Sequence, residues 1–306
     1  MTRYARLAAL AVSLCLLFPA AAWAQKGKPS APTIKLLDAG KGKKQKLRYQ
    51  AKAGAKEKMQ MDMDMTMGMS MGGQALVDMR APTVRMTADL EVTEVTDEGN
   101  FKLVFRYTGF KVLDTPGVVP AMKTSMEQAL AGMETVAGNA LLTDRGVVLD
   151  GDFDTTQVAN PQMQQLADSI EQSMQQLSAP LPVEAVGKGA RWQVTTELEN
   201  NGLTIQQVAT YKLRELRKDG FVCDVTVAQS AKSQMLTGPN VPPNTKIELI
   251  SMKGSGNGEL DVALRRLTPT SKVEMTSDMK MRMEAGAQKQ EMEMHMTMEM
   301  KFKPGR

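Results

Sequence analysis

Methionine occupies every second position in two stretches of the chain. From Met59 to Met71, seven methionines alternate with polar or small residues, and the same alternation runs from Met292 to Met300. A shorter copy spans Met279 to Met283. Because successive side chains of a β-strand point to opposite faces, this period of two predicts strands that place their methionines on one face of a sheet.

Other segments alternate in the same way and predict further strands. Val84 to Val92 and Phe101 to Tyr107 carry apolar residues at every second position, and the turn-forming residues 97–100 between them predict a hairpin. The strands predicted in the second half of the chain are 190–194, 203–216, 221–228, 245–253 and 259–267. The glycine-rich stretch 254–258 is interpreted as a turn between the last two.

The C-terminal methionines are predicted to lie in a hairpin. Its turn is expected around residues 286–289, which would place Met281 opposite Met294 and Met279 opposite Met296. The methionines of both strands would then lie on the same side of the sheet.

Two segments change to a helical period. Met122, Met126, Leu130 and Met133 are spaced to share one helix face, and a second helix is predicted to begin at Asn160, an N-cap residue followed by proline. Its apolar face comprises Met163, Leu166, Ala167, Ile170, Met174 and Leu177. These elements predict an α+β fold: a large curled antiparallel β-sheet, a half-barrel or open barrel, with two amphipathic helices packed on or plugging its concave face.

The first 24 residues have the organisation of a cleaved signal peptide. Arg3 and Arg6 precede an apolar run, and Ala22-Trp23-Ala24 fits a small-x-small cleavage motif. We expect cleavage after Ala24, export to the periplasm or the extracellular space, and no transmembrane segment in the remaining chain. Residues 25–44 are expected to form a flexible basic leader, and 45–306 a single β-rich domain with a helical insertion around 118–180.

Charge and motif content argue against several classes of function. Loss of Arg3 and Arg6 lowers the net charge from +4 to +2, and no basic stretch interleaved with aromatic residues supports nucleic-acid binding. His295 is the only histidine. The sequence contains no nucleophile elbow, no phosphate loop and no metal-ligand cluster. We therefore expect a non-enzymatic protein without a cofactor. Cys223 is expected to be a buried, unreactive thiol.

The methionine tracts set the functional hypotheses. Residues 59–71 and 275–300 hold sixteen of the 26 methionines, whereas strands normally favour Val, Ile, Phe and Tyr. One interpretation is a buried core face in a structural envelope protein without a ligand. We favour an adaptable apolar surface that binds a hydrophobic small molecule or lipid. The lining residues would be Met59, Met61, Met63, Met65, Met67, Met69, Met71, Met279, Met281, Met283, Met292, Met294, Met296, Met298 and Met300.

A third interpretation is capture of a soft metal ion. Thioethers ligate Cu(I) and Ag(I). His295 lies within the second tract, but on a strand it would point away from the neighbouring methionines. The candidate ligands are therefore the thioethers of Met292, Met294, Met296 and Met298.

Two local features resemble an uncharacterised family of exported bacterial proteins. One is the predicted strand Leu47-Arg48-Tyr49, followed by Gly54 and a long alternating strand; the other is the Pro-rich stop at 181–182, which leads into Val-Gly-x-Gly-x-x-Trp at 186–192. This family has no established activity to transfer. The order of the elements is also similar to the half-barrel of lipoprotein carriers of the LolA and LppX types. That resemblance implies a concave sheet able to hold acyl chains.

Overall fold

The computed structural model describes residues 31–131, 133–154, 179–200, 203–236, 245–285 and 288–305. Strands make up 69% of the structure and helices 6%. The prediction of an α+β fold is therefore wrong, and the architecture is one large antiparallel β-sheet. The second predicted helix, with its apolar face between Met163 and Leu177, lies outside the described residues.

Most of the strands are long, and several exceed the predicted lengths. They are β1 (Thr33–Asp38), β2 (Lys41–Gln45), β3 (Lys56–Met71), β4 (Gln74–Arg80), β5 (Val84–Val95), β6 (Phe101–Val112), β7 (Ala137–Leu142), β8 (Val148–Asp154), β9 (Val186–Lys188), β10 (Arg191–Asn200), β11 (Leu203–Arg217), β12 (Gly220–Ala231), β13 (Gln234–Leu236), β14 (Thr245–Ala263), β15 (Thr270–Ala285) and β16 (Gln288–Pro304). The helix α1 spans Pro120–Leu130, and a 3₁₀ turn spans Met133–Thr135.

Fourteen of these strands form a single sheet. Its order is β1-β10-β11-β12-β14-β15-β16-β3-β5-β6-β7-β8, with β13 paired to β14 and β4 paired to β3. The two end strands, β1 and β8, do not pair with each other, so the sheet is not closed into a barrel. A separate small sheet joins β2 to β9. The methionine-rich strands β15, β16 and β3 lie side by side in the middle of the large sheet.

The segment expected to be a flexible leader carries two strands. Within residues 25–44, β1 pairs with β10, and β2, which begins in this segment and ends at Gln45, pairs with β9. Ile34 and Leu36 of β1 pack against a buried cluster around Trp192. Their alternation with polar neighbours is therefore the pattern of an edge strand with one apolar face.

The helix α1 does not plug the concave face of the sheet. It begins at Pro120, two residues before the first methionine of the predicted face, and ends after 11 residues. None of its residues is buried. Met122, Met126 and Leu130, the predicted apolar face, remain partly exposed. Met133, expected to continue this face, instead lies in the 3₁₀ turn and is fully buried with Phe105 and Tyr107.

The buried residues of the described part of the chain form four clusters rather than one continuous core. The largest surrounds Trp192, whose ring stacks on Tyr211 at a centroid distance of 5.2 Å. A second contains buried methionines of β3, β15 and β16, and the remaining two lie between β5, β6 and β7. The methionine-rich face of the sheet is therefore divided between densely packed and less densely packed regions.

The strand β14 runs without interruption through residues 254–258, which the sequence analysis interpreted as a turn. Gly254, Gly256 and Gly258 alternate with polar residues and so lie on one face of this strand. Cα atoms of β12 and β15, on either side of β14, approach within 8 Å, whereas strands two apart in a flat sheet are about 9.6 Å apart. The sheet therefore bends sharply at β14, as sheets do at glycine positions.

Candidate functional site

The three central strands align their methionines across the sheet. Met279 of β15 lies opposite Met294 of β16, which in turn lies opposite Met69 of β3. Four residues further along β16, Met298 lies between Met275 and Met65. All fifteen predicted lining methionines are therefore on the same face of the sheet.

The predicted register of the C-terminal hairpin is wrong by two residues. Met281 lies opposite Met292 instead of Met294, and Met279 lies opposite Met294 instead of Met296. Pairing reaches Ala285 and Gln288, so the two strands extend further toward each other along the chain than predicted. Because the error is an even number, each methionine still lies on the predicted face.

One part of this face is fully packed, and we call it the packed cluster. Met67 is 2% exposed and Met292 is 3% exposed. Side chains distant in the sequence, including Leu203, Ile205 and Leu249, belong to the same cluster and exclude solvent. The methionines of the packed cluster are Met67, Met69, Met252, Met279, Met281, Met292 and Met294. In this region the thioethers serve as core side chains.

The other part of the face is partly exposed, and we call it the methionine band. It comprises Met63, Met65, Met275, Met296, Met298 and Met300, all of intermediate exposure. Met65 touches the packed cluster, but the other five belong to none of the four clusters formed by the described residues. The band is therefore an accessible apolar surface in the centre of the sheet. Of the remaining predicted lining residues, Met59 is buried near Phe105, and Met61, Met71 and Met283 are partly exposed.

The glycines of β14 make the methionine face concave beside the band. A Cβ atom at Gly256 would lie 2.7 Å from Met275 Cγ, and one at Gly258 would lie 2.8 Å from Val273 Cγ2. The side chains of β15 thus lean over positions where β14 has none. Since these side chains are on the methionine face, the bend at β14 closes toward that face. We call this bend at Gly254, Gly256 and Gly258 the corner. The sequence indicates it through the alternation of the three glycines, which has the period of a strand.

Ser277 is a buried polar residue of this face. It is 4% exposed, and its Oγ makes no hydrogen bond to any residue that the structure describes. It pairs with Gly254 on one side and with Met296 of the band on the other. Nearby on the same face, the Gln229 amide donates a hydrogen bond of 2.7 Å to Gln207. A buried hydroxyl without a partner is uncommon in folded proteins and marks a place where a ligand or water oxygen would be stabilised.

Charged and hydroxyl groups cover the opposite face of the same three strands. Arg85 donates two hydrogen bonds of 2.7 Å to Asp62 and holds the pKa of that carboxyl below its usual value. Lys272 lies 2.8 Å from Glu299, and its hydrogen bond, with that of Lys301, lowers the pKa of Glu299 to about 2. The first pair joins β5 to β3. The second joins β15 to β16 and so favours the register that aligns the methionines of these two strands.

A groove of about 540 Å³ also lies on this opposite face. Its polar lining includes Asp64, Asn257, Glu274 and Glu299. The carboxylates are largely neutralised, since Asp64 pairs with Arg80, and Lys272 pairs with both Glu274 and Glu299.

The two residues with the greatest intrinsic reactivity lie away from the band. His295 points to the charged face, where its Nδ1 lies 2.6 Å from Asp278 Oδ1. Cys223 is buried, and desolvation raises the pKa of its thiol to about 12. In the described ranges, no group of three or more His, Cys, Asp or Glu side chains is arranged to hold a metal ion. The functional groups at the band are therefore its thioethers and the hydroxyl of Ser277.

Comparison with models of known protein families finds no match, and comparison with characterised proteins finds no similar sequence. Among the residues that the structure describes, no helix combines the length and apolar character needed to cross a lipid bilayer.

Proposed function

We propose that this is an exported, non-enzymatic protein that binds the acyl chain of an amphipathic lipid against the methionine band. The observation that carries the proposal is the incomplete packing of the band, beside a packed cluster of the same residue type. A purely structural sheet gains stability by covering such side chains. A partly exposed methionine surface is typical of sites that adapt to apolar ligands.

The concave shape supports this function. The bend at Gly256 places the band on the inside of the sheet, where an extended chain would contact β15, β16 and β3 together. Methionine side chains have three rotatable bonds and can adjust to acyl chains of different length. The band therefore favours shape-tolerant binding over recognition of one rigid molecule.

The unpaired hydroxyl of Ser277 favours an amphipathic ligand over a plain hydrocarbon. Its free Oγ borders the band at Met296, so a headgroup oxygen placed there would accept or donate the missing hydrogen bond. A neutral hydrogen bond of this kind contributes about 1 kcal/mol. The ligand class is thus a fatty acid, fatty alcohol or monoacyl lipid, with its chain over Met298 and its polar end at Ser277.

Export follows from the N-terminal sequence. Arg3, Arg6, the apolar run and Ala22-Trp23-Ala24 together have the pattern of a signal peptide. Mass determination of the mature protein, recovered from a host with a general secretion pathway, tests the expected cleavage after Ala24. An N-terminus at Met1 in the recovered protein would contradict export by this route.

Titration of delipidated protein with cis-parinaric acid, a fluorescent fatty acid, tests the binding function. We expect saturable enhancement of fluorescence, reversed by oleic acid. The Met275→Glu variant should weaken binding by roughly tenfold or more, because it brings a charge into the apolar band. Thr276→Glu is the matched control: it is the next residue on β15 and lies exposed on the opposite face. It should leave the affinity unchanged.

Substitution of Ser277 by alanine separates headgroup recognition from chain binding. Ser277→Ala should weaken binding of cis-parinaric acid but should not weaken partitioning of a hydrocarbon such as dodecane. It should also raise the stability of the ligand-free protein by about 1 kcal/mol, because an unsatisfied buried hydroxyl is removed. Absence of saturable binding by wild-type protein would exclude the proposed function, as would equal losses in Met275→Glu and Thr276→Glu.

A further inference from the structure

We infer that four thioethers of the methionine band, those of Met63, Met65, Met298 and Met300, form a binding site for a soft monovalent cation, Cu(I) or Ag(I). Two cross-strand pairs build this group, Met298 with Met65 and Met300 with Met63. Acyl binding and metal binding are separate properties of the band, and either can be absent without the other.

The backbone brings the four side chains to the corners of a small rectangle. Directly opposed residues in antiparallel strands have Cβ atoms about 4.5–5.5 Å apart. Residues two apart along a strand are separated by about 6.8 Å. A methionine side chain is long and flexible enough to span half of either distance, so the four sulfur atoms are able to converge above the centre of the rectangle.

The chemistry of the ligands selects the ion. Thioethers are soft, neutral donors that favour Cu(I) and Ag(I) over Zn²⁺, Mg²⁺ or Ca²⁺. The described residues offer those harder ions no cluster of His, Cys, Asp or Glu. A thioether does not bind a proton near neutral pH, so no proton competes with the metal. Affinity at this site should therefore stay constant across neutral and mildly acidic pH, unlike that of thiolate or imidazole sites.

Exposure distinguishes this rectangle from an equivalent one in the packed cluster. Met69, Met71, Met292 and Met294 have the same arrangement on the same two strands. Met69, Met292 and Met294 are buried in the packed cluster, whereas Met63, Met65, Met298 and Met300 are all partly exposed. One methionine of each rectangle, Met71 and Met65, packs against the edge of that cluster. An ion would have to displace packed side chains to reach the buried sulfur atoms, whereas Met298 and its neighbours are accessible from the concave side.

The experiment compares matched leucine variants of these two rectangles. Leucine keeps the apolar volume but removes the sulfur, and such replacements disturb packing little. Cu(I) affinity of the mature protein is measured under ascorbate by competition with a colorimetric chelator, and Ag(I) stoichiometry by native mass spectrometry. The variant M63L/M65L/M298L/M300L should lose roughly 100-fold or more in affinity, since even loss of an outer-shell partner costs a metal site 10–100-fold. The variant M69L/M71L/M292L/M294L should keep the wild-type affinity.

A second measurement needs no substitution. In wild-type protein labelled with ¹³C at the methionine methyl groups, Ag(I) should shift the resonances of Met63, Met65, Met298 and Met300 and leave those of Met69 and Met294 in place. Failure of wild-type protein to bind Ag(I) more tightly than free methionine would overturn the site. Equal loss of affinity in both quadruple variants, or in neither, would also overturn it. Cis-parinaric acid binding should persist in both variants, so failure of the metal site is distinguishable from failure of the proposed lipid function.

Discussion

The packed cluster and the methionine band are built from the same residue type on the same strands. Met294 and Met298 each have methionine on both neighbouring strands and at both flanking positions of the same face. Nevertheless, Met294 is buried among side chains that include Leu249 and Ile205, while Met298 belongs to no buried cluster of the described residues. Local sequence therefore does not determine the role of these methionines.

The difference between the two regions comes from what covers each of them. Over the packed cluster, apolar residues of β11 and β14 complete a core. Beside the band, β14 instead presents Gly256 and Gly258, which bend the sheet and contribute no side chains. A flexible side chain is thus a core element where neighbours cover it, and a surface able to accept a ligand where they do not.

The largest effect on stability is expected from alanine substitutions, which should differ between these two regions. Met294→Ala should destabilise the protein by about 2–5 kcal/mol, because it leaves a cavity in a packed core. Met298→Ala removes the same atoms from a partly exposed position and should cost about 1 kcal/mol. Urea unfolding followed by circular dichroism measures both values. Equal losses of stability would mean that the band is as well packed as the cluster.

Alanine at a glycine of the corner should have the next largest effect. Gly256→Ala would bring a Cβ to 2.7 Å from Met275 Cγ and 2.8 Å from the Glu274 carbonyl oxygen. We expect a loss of about 1–3 kcal/mol, typical of overpacking, together with weaker fatty-acid binding as the bend opens.

Gly68 of β3 provides the control for the corner variant. It lies on the charged face, where the atom nearest to an added Cβ would be the His295 carbonyl oxygen at 4.0 Å. Gly68→Ala should stabilise the protein by about 0.4–1 kcal/mol, because alanine restricts the unfolded chain. A corner variant that is as stable as the wild type would contradict the proposed origin of the bend.

The alternation in the sequence predicted the faces of the strands but not their surroundings. Period two placed Met281 and Met294 on the correct face, and a register error of two residues left that result intact. The corner at 254–258 was missed because Gly, Ser and Asn favour turns, and their strand period was the weaker signal. Burial at Met294 and exposure at Met298 depend on residues far away in the sequence, which a local pattern does not reveal.

Oxidation rates should distinguish the two regions within one molecule. Hydrogen peroxide transfers an oxygen atom to an accessible thioether, giving the sulfoxide and water. Met298, Met300 and Met63 should be oxidised several-fold faster than Met69, Met292 and Met294, as measured by tandem mass spectrometry of limited digests. In denaturant the two sets should react at the same rate. Bound oleic acid should slow only the first set, and protection of both sets would argue against a site confined to the band.

The smallest effect concerns the charged face behind the band. Glu299 has a pKa of about 2 because Lys272 and Lys301 donate hydrogen bonds to it, whereas its usual value is 4.5. A carboxyl with a lowered pKa in the folded state stabilises the protein above pH 4.5, and this contribution is lost as the pH falls toward 2. Carboxyl NMR titration should give a midpoint near 2, and Lys272→Met should raise it.

Glu299→Gln should cost up to about 1 kcal/mol at neutral pH, because surface ion pairs are screened by solvent. It should not change the affinity for cis-parinaric acid, since Glu299 points away from Met298 and Met300 on the same strand. A large loss of ligand affinity in this variant would show that the alignment of the band depends on the charges behind it. Apolar neighbours cover the packed cluster, so the packing of its side chains should stay unchanged in Glu299→Gln whether or not the ligand affinity falls.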